Sequence, residues 1–210
     1  GVTILKNYVL YINDLNFDDL IYAALSFHHG HGERALPMLT FALDYWRSGG
    51  MDAAAFKITN IFIHALTTFI LAFFFRRLLL LAKWTPQHAA WGALALTLIW
   101  AIHPLQVSSV LYIVQRMQTM ATLFIVLGLW SYLIMRQAQI AGGRGRGQGI
   151  MVLIFWFMAL MCKEDAVLFP LYGLLLELTV LRFQAAHALV VKGLRQSYTL
   201  IIILAVLIYA

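Results

Sequence analysis

Apolar residues fall in six runs along this chain of 210 residues. The runs lie near residues 58–75, 88–103, 117–135, 149–162, 166–181 and 197–210. A helix needs about 20 mostly apolar residues to cross a hydrocarbon core about 30 Å thick. Runs of this kind, joined by short polar loops, are typical of membrane-spanning helices. The pattern predicts an all-α fold, a polytopic transmembrane helix bundle over residues 56–210.

The first 55 residues have a different pattern, because acidic residues interrupt the apolar positions. These are Asp14, Asp18, Asp19, Glu33, Asp44 and Asp52. We expect residues 20–27 and 38–46 to form short amphipathic helices on the outer membrane face, so that residues 1–55 are an outer loop region. Because the chain begins at Gly1 and ends within an apolar run at Ala210, we expect an internal segment of a longer protein, truncated at both ends.

Composition favours a membrane protein over a soluble one. Hydrophobic residues make up 62% of the chain and charged residues 11%, and the mean hydropathy is +0.82. Soluble domains are about a quarter charged, and a soluble fold of this size could not bury so much apolar surface. The single cysteine, Cys162, excludes an internal disulfide framework.

The distribution of cations predicts which side of the membrane each loop faces. When the six runs cross the membrane alternately, nine cations fall on one side: Arg76, Arg77, Lys83, Arg136, Arg144, Arg146, Arg182, Lys192 and Arg195. Short loops rich in Lys and Arg are usually cytoplasmic. Residues 144–146 are therefore predicted to be cytoplasmic and residues 1–55 outside. Two Arg-Gly units in this loop are too few for a nucleic-acid-binding segment, so we expect no nucleic-acid partner.

Polar side chains collect at the predicted outer ends of the spans. They are Asn60, His64, His103, Arg116, Lys163, Glu164 and Asp165. Ionisable groups at membrane depth are costly and usually face a protein interior or a water-filled cavity. The clustering predicts a recessed cationic pocket that opens outward. The alternative is that residues 163–165 form a hydrophilic hairpin in water and that Arg116 is an interfacial anchor.

Histidines and a carboxylate in residues 28–33 are candidate metal ligands. His28, His29, His31 and Glu33 are ordinary zinc ligand types. Glycine- and histidine-rich runs are also ordinary loop composition, and no second ligand cluster is evident in the sequence. We therefore predict no metal and no cofactor.

Four blocks in this order resemble the transmembrane-and-tetratricopeptide-repeat O-mannosyltransferases and their bacterial relatives. They are residues 34–43, residues 56–64, His103 to Val110 followed by Val114-Gln115-Arg116, and Lys163-Glu164 before an apolar run that closes on Glu177. The resemblance implies a membrane glycosyltransferase of the GT-C type with a polyprenyl- or dolichyl-phosphate sugar donor. It also implies an acidic pair after a first span, which we expect upstream of Gly1.

The resemblance and the chemistry of sugar transfer suggest roles for these residues. Transfer needs a carboxylate base for the acceptor hydroxyl and cations for the departing phosphate. The expected catalytic residues are Glu164 and Asp165, the expected phosphate ligands are His103, Arg116 and Lys163, and the expected supporting residues are Arg34, Asn60 and His64. As alternatives, Glu164 could merely neutralise Arg116 or Lys163, and His103 could cap a helix end.

The expected function is therefore that of an inner-membrane glycosyltransferase segment. It would transfer a sugar from a polyprenyl-phosphate donor to an acceptor hydroxyl on the outer face of a bacterial inner membrane. Expected partners are membrane lipids, the lipid-linked sugar donor, and a protein acceptor or other membrane subunits. The alternative is a non-catalytic integral-membrane subunit that packs in a larger complex. A transporter would be expected to have inverted repeats, and none is evident in the sequence.

Overall fold

The computed structural model of the protein describes residues 7–12, 14–27 and 34–209. The described part of the chain contains no strand, and its α-helices are α1 (Phe17–Leu25), α2 (Ala35–Ser48), α3 (Ala53–Leu81), α4 (Pro86–Ile102), α5 (Pro104–Leu111), α6 (Arg116–Ile140), α7 (Arg146–Leu160), α8 (Phe169–Leu176) and α9 (Ala188–Tyr209). Short 3-10 turns occupy Tyr8–Leu10, Ile113–Gln115 and Glu164–Leu168, and a π-helical turn occupies Glu177–Leu181. The predicted all-α fold is confirmed.

Helices form at both predicted amphipathic segments. The Asn16 side chain begins α1 by accepting a hydrogen bond from the Asp19 backbone N–H, which satisfies a free donor of the first turn. Phe17, Ile21 and Leu25, spaced by four residues, are exposed. A stripe of exposed apolar side chains on a short helix suits a helix that lies on a membrane surface.

The buried face of α2 packs against the long helices α3 and α6. Met38 and Phe41 of α2 belong to a small core together with Leu10, Phe56 and Met117. This small core holds α2 against the first turns of α3 and α6.

Two helical segments are long and apolar enough to cross a membrane, namely Ala53–Leu81 and Ile113–Ile140. Helices α4 and α5 meet at a 58° bend and together form a third candidate span, whereas α7 is a shorter apolar helix. Each predicted apolar run thus coincides with helical structure. Among the described residues, length and composition support at most three spans, so the six-span threading stays a prediction.

The main core lies between α3, α6 and α7. Ile70 and Phe74 of α3, Leu123 and Leu133 of α6, and Val152 of α7 are buried in it. Large apolar side chains on the other face of α3 are exposed instead, as expected where lipid replaces protein as the neighbour. They include Ile58, Phe62 and Phe69.

The Gly128 position allows α8 to approach α6 closely. A Cβ atom at Gly128 would lie 2.7 Å from the Phe169 ring, a distance at which the ring would have to move. Phe169 also stacks on Trp156, with ring centroids 5.9 Å apart. The small residue in α6 therefore determines where the chain after α7 packs.

The helix ends gather at two ends of the bundle. Successive long helices alternate in direction, so α2, the start of α3 and the start of α6 lie at one end, which we call the α2 end. The turn after α7 joins it, because Lys163 Nζ is 2.7 Å from Gln118 Oε1. The opposite end carries the segments 82–85, 141–145 and 182–187. There the Ala186 backbone N–H donates to the Gln139 carbonyl at 3.1 Å.

Candidate functional site

Arg116, the first residue of α6, is fully buried at the α2 end. Its Nε donates to Asn60 Oδ1 at 2.8 Å and its Nη2 donates to the Phe56 carbonyl at 2.7 Å. Nη2 also lies 2.6 Å from Asp44 Oδ2. The Nη2–H bond is not aligned with Oδ2, so this contact is an ion pair without a hydrogen bond, and Oδ2 accepts no hydrogen bond from any described residue. The Phe41 ring covers the guanidinium at 4.4 Å, a favourable cation–π distance.

The carboxylate that neutralises Arg116 is therefore Asp44. The expected approach of Arg116 to His103, Glu164 or Asp165 is not what the structure contains. Because the guanidinium is fully buried and each of its nitrogens already has a protein partner, a phosphate could reach it only by displacing one of these partners. The geometry thus favours a structural role for Arg116, and its assignment to phosphate binding stays a prediction.

Asp44 has further partners that the sequence did not reveal. Its Oδ1 accepts hydrogen bonds from the Thr59 hydroxyl at 2.7 Å and from Arg47 Nη2 at 3.0 Å. The contact with Thr59 ties α2 to α3, whereas Arg47 belongs to α2 itself. A buried carboxylate needs such partners, because taking a charge out of water is costly unless it is paired and hydrogen-bonded.

Asn60 connects Arg116 to the end of the bent span. Its Nδ2 donates to the carbonyls of Val110 and Tyr112, at 3.1 and 3.4 Å. Both carbonyls lie where α5 ends, and a break in a membrane helix leaves carbonyls that must find other donors. In this geometry Asn60 has a structural role, and its predicted supporting role at the donor site stays a prediction.

A polar pocket of about 160 Å³ opens beside these residues, between α3, the bent pair α4–α5, and α6. It is lined by His64, Thr67, Trp100, Gln106, Ser109, Gln118, Thr119 and Thr122. The lining supplies hydroxyls, amides, one imidazole and one indole, and no carboxylate or ammonium group. The His64 ring stacks on Trp100 with centroids 5.0 Å apart, and its Nε2 is 3.1 Å from the Ala101 carbonyl.

Lys163 contacts the lining of this polar pocket, and Asp165 pairs with Lys163. Lys163 Nζ is 2.7 Å from the Oε1 atom of the lining residue Gln118 and 2.6 Å from Asp165 Oδ2. Both side chains are partly exposed. Of the predicted site residues, His64 lines the pocket, Lys163 contacts its lining, and Asp165 is connected to it through Lys163.

Glu164 points to a different partner, Arg34. Both of its carboxylate oxygens accept from Arg34 Nη2, at 2.8 and 2.9 Å. The Arg34 guanidinium also lies 4.7 Å from the centre of the Phe27 ring. A hydrogen bond from its own backbone N–H, and then the Arg34 guanidinium, lower the pKa of the Glu164 carboxyl from its ordinary value. Glu164 thus pairs with a surface cation instead of Arg116 or Lys163.

His103 caps a helix. Its Nδ1 accepts a hydrogen bond from the Leu105 backbone N–H at 3.2 Å, at the first turn of α5. The side chain is exposed at the bend between α4 and α5. The capping alternative is therefore confirmed for His103, while its contact with phosphate stays a prediction.

A second buried charge pair lies at the opposite end of the bundle. Arg136 Nε donates to Glu177 Oε1 at 2.6 Å, and both side chains are fully buried. The Tyr132 hydroxyl donates to the same oxygen at 2.6 Å, and the Tyr198 hydroxyl donates to the Tyr132 oxygen at 2.9 Å. The Phe183 backbone N–H donates to Glu177 Oε2 at 3.1 Å. This network joins α6 to the π-helical turn and to α9.

The described residues contain no group of three His, Cys, Asp or Glu side chains that could hold a metal ion. The candidate ligands His28, His29, His31 and Glu33 lie outside the described residues. The expectation of no metal at these four positions therefore stays a prediction.

Replacing Glu164 by alanine should lower the free energy of unfolding by less than about 1 kcal/mol, because exposed ion pairs contribute little. The Glu164 side chain is 68% exposed, and its partner Arg34 is 24% exposed. Denaturant unfolding of the purified protein in detergent micelles measures the difference. A loss of several kcal/mol would contradict the exposed position of this pair.

Known proteins with a similar sequence are protein O-mannosyltransferases. The chain is 28% identical to the mouse protein O-mannosyl-transferase TMTC4 over 170 residues, which cover 74% of this chain and 22% of the mouse protein. It is 28% identical to the human protein of the same name over 164 residues, with the same coverage. No family model matches the chain, and no solved structure matches it. The chain thus spans about a fifth of the length of the curated relatives it matches.

These similarities support a distant relationship to the TMTC family. The candidate spans of the described residues and the similarity to a membrane relative support an integral membrane protein.

Proposed function

We propose that this chain is part of a membrane glycosyltransferase that transfers a sugar from a polyprenyl-phosphate donor to an acceptor hydroxyl. The observation that carries the proposal is the similarity to a protein O-mannosyl-transferase over 74% of the chain. The polar pocket at the α2 end, with Lys163 against its lining and Asp165 paired with Lys163, agrees with it.

The lining of the polar pocket suits an uncharged sugar. Gln106 and Gln118 offer amide donors and acceptors, and Thr119 offers a hydroxyl, which are the groups that hydrogen-bond to sugar hydroxyls. A volume of about 160 Å³ is below the range of ordinary drug-sized sites. The pocket is therefore proposed to take one sugar unit rather than a chain of sugars.

Lys163 and Asp165 are the charged groups next to the pocket that the reaction could use. Transfer breaks the bond between the anomeric carbon and the phosphate oxygen, and forms a bond between that carbon and the acceptor oxygen. Lys163 would stabilise the charge on the departing phosphate through charge-assisted hydrogen bonds. Asp165, in contact with Lys163, is the candidate base that takes the proton of the acceptor hydroxyl.

We further propose that the α2 end faces the outside of a bacterial inner membrane and that residues 144–146 are cytoplasmic. The opposite end carries the nine cations counted above, and short cation-rich loops usually stay in the cytoplasm. The bacterial location follows the resemblance to bacterial members of the family. The lipid-linked donor and a protein acceptor would reach the pocket from the outer side.

A non-catalytic membrane subunit is the second candidate function. The burial of Arg116 against Asp44 favours it, because the strongest expected phosphate ligand already has a protein partner.

Replacing Gln118 by alanine tests the site. The variant removes a lining amide and the contact with Lys163, and hydrogen bonds to charged groups contribute about 1.5–3 kcal/mol. We expect sugar transfer by the full-length protein to fall roughly 10- to 100-fold, with the folded yield unchanged. The assay follows a radiolabelled sugar from polyprenyl phosphate to the acceptor.

Gln87→Ala is the matched control, because Gln87 is exposed and lies outside the pocket lining and outside the four blocks of the resemblance. It should retain wild-type transfer. Equal activity of the two variants would contradict the assignment of this pocket. A full-length protein that folds but transfers no sugar from any polyprenyl-phosphate donor would favour the non-catalytic subunit.

A further inference from the structure

A cleft of about 300 Å³ lies between α3 and α6 at the end of the bundle opposite the polar pocket. It is lined by Phe73, Arg76, Arg77, Leu80, Leu81, Trp130 and Gln137. Arg116 and Arg136 each have a buried carboxylate partner. Arg76 and Arg77 differ from them, because neither forms an ion pair with any described residue. Two guanidinium groups thus face one cleft without a neutralising group.

The two arginines lie at the depth of lipid headgroups if α3 spans a bilayer. Helix α3 ends at Leu81, so Arg76 and Arg77 lie about 6–8 Å below its end at 1.5 Å per residue. The headgroup region of one leaflet is about 5–8 Å thick. With the end of α3 at the membrane surface, the guanidinium groups would thus lie at the level of the phospholipid phosphates.

The cleft has an apolar part next to its cationic part. Phe73, about one turn deeper in α3 than Arg76, is 43% exposed, and its ring lies 5.9 Å from the Trp130 ring. The structure describes no protein acceptor for the Trp130 indole N–H. A ligand with a phosphate at one end and a hydrocarbon chain at the other fits this order of side chains.

The charge around the cleft also favours an anion. A neighbouring cleft of about 320 Å³ shares Leu81 and is lined in part by Lys83 and Arg182. Among the described residues at this end, the only carboxylate is Glu177, which Arg136 already neutralises. Clusters of unpaired cations near a membrane surface attract anionic lipids.

We propose that this cleft binds an anionic phospholipid of the adjacent leaflet. Its phosphate accepts hydrogen bonds from Arg76 and Arg77, whose planar guanidinium groups can each hold two phosphate oxygens. The first part of an acyl chain lies against Phe73 and Trp130. A soluble acidic protein fits less well, because the cleft continues into the exposed apolar surface of α3 at Phe73. The proposal is independent of the glycosyltransferase assignment, since the polar pocket lies at the other end.

Native mass spectrometry of the purified protein, titrated with phosphatidylglycerol or phosphatidylcholine, tests the proposal. We expect retention of phosphatidylglycerol in preference to phosphatidylcholine. The variant Arg76→Gln/Arg77→Gln should weaken phosphatidylglycerol binding roughly 30-fold, because each cation near an anionic surface contributes roughly fivefold. The matched control Arg144→Gln/Arg146→Gln removes two cations from the same end but outside the cleft, and should weaken binding less than about threefold.

Three results would overturn the proposal: equal weakening by the two double variants, equal binding of the two lipids, or displacement of the lipid by an equimolar amount of inorganic phosphate.

If the cleft variant does not fold, photo-cross-linking replaces it, with all native cations present. A photoreactive residue at Leu80, in the cleft, should then cross-link a phosphatidylglycerol analogue more than the same residue at the exposed Trp91. Equal cross-linking at the two positions would also overturn it.

Discussion

Replacing Asp44 by alanine should lower the free energy of unfolding by about 3–5 kcal/mol, because it leaves a buried cation unpaired. The Arg116 side chain is 0% exposed and Asp44 is 6% exposed, so the cation would be left unpaired in a site that is largely closed to water. The Thr59 hydroxyl would also lose its acceptor at 2.7 Å. Unfolding of the purified protein in bicelles, followed by steric trapping, measures the change.

Asp18→Ala is the matched control for Asp44→Ala, because Asp18 is exposed in the first turn of α1. Its effect should stay within about 0.5 kcal/mol. The double variant Asp44→Ala/Arg116→Met should be more stable than Asp44→Ala alone, since no unpaired charge remains in the core. If the double variant is no more stable than Asp44→Ala, the buried ion pair is not the cause of the loss.

Replacing Glu177 by alanine should also lower the free energy of unfolding by about 3–5 kcal/mol. Arg136 and Glu177 are both 0% exposed, and Tyr132 would lose its acceptor at 2.6 Å. The variant Glu177→Gln should fall between wild type and alanine, since an amide oxygen still accepts hydrogen bonds but carries no charge. The same unfolding measurement applies.

Glu164→Ala supplies the matched control, since it removes the same side chain from an exposed pair. A difference of several kcal/mol between the two glutamates is the expected result. Similar small losses at positions 164 and 177 would contradict the closed network around Glu177.

The positions of the helices could be predicted because an apolar run is a local property of the sequence. The partner of Arg116 could not, because it depends on how α2 packs against α3 and α6. One signal was present: Met38, Phe41 and Asp44 are spaced by three residues and share a face of α2. A carboxylate on an otherwise apolar face indicates burial beside a cation.

The polar pocket was predicted only in part. The gathering of His64 and Lys163 at one end follows from the alternating direction of the helices, which the sequence predicts. Gln118, Thr119 and Thr122 were missed, because single polar residues in a long apolar run carry little signal alone. Thr122 lies four residues after Gln118 and three after Thr119, so the three side chains share one side of α6. This spacing could have indicated the pocket. The pairing of Glu164 with Arg34 was not predictable, since both are ordinary surface charges.

The end of the bent span α4–α5 makes the order of synthesis important for this protein. The carbonyls of Val110 and Tyr112 depend on Asn60, and the orientation of the Asn60 amide depends on Arg116. The ribosome makes Asn60 first, the bend next and Arg116 last. A nascent chain that ends after α5 already contains Asn60 but lacks the guanidinium that orients its amide, and carbonyls without a donor are costly in hydrocarbon. We therefore expect the end of α5 to reach its final position only once Arg116 has been made.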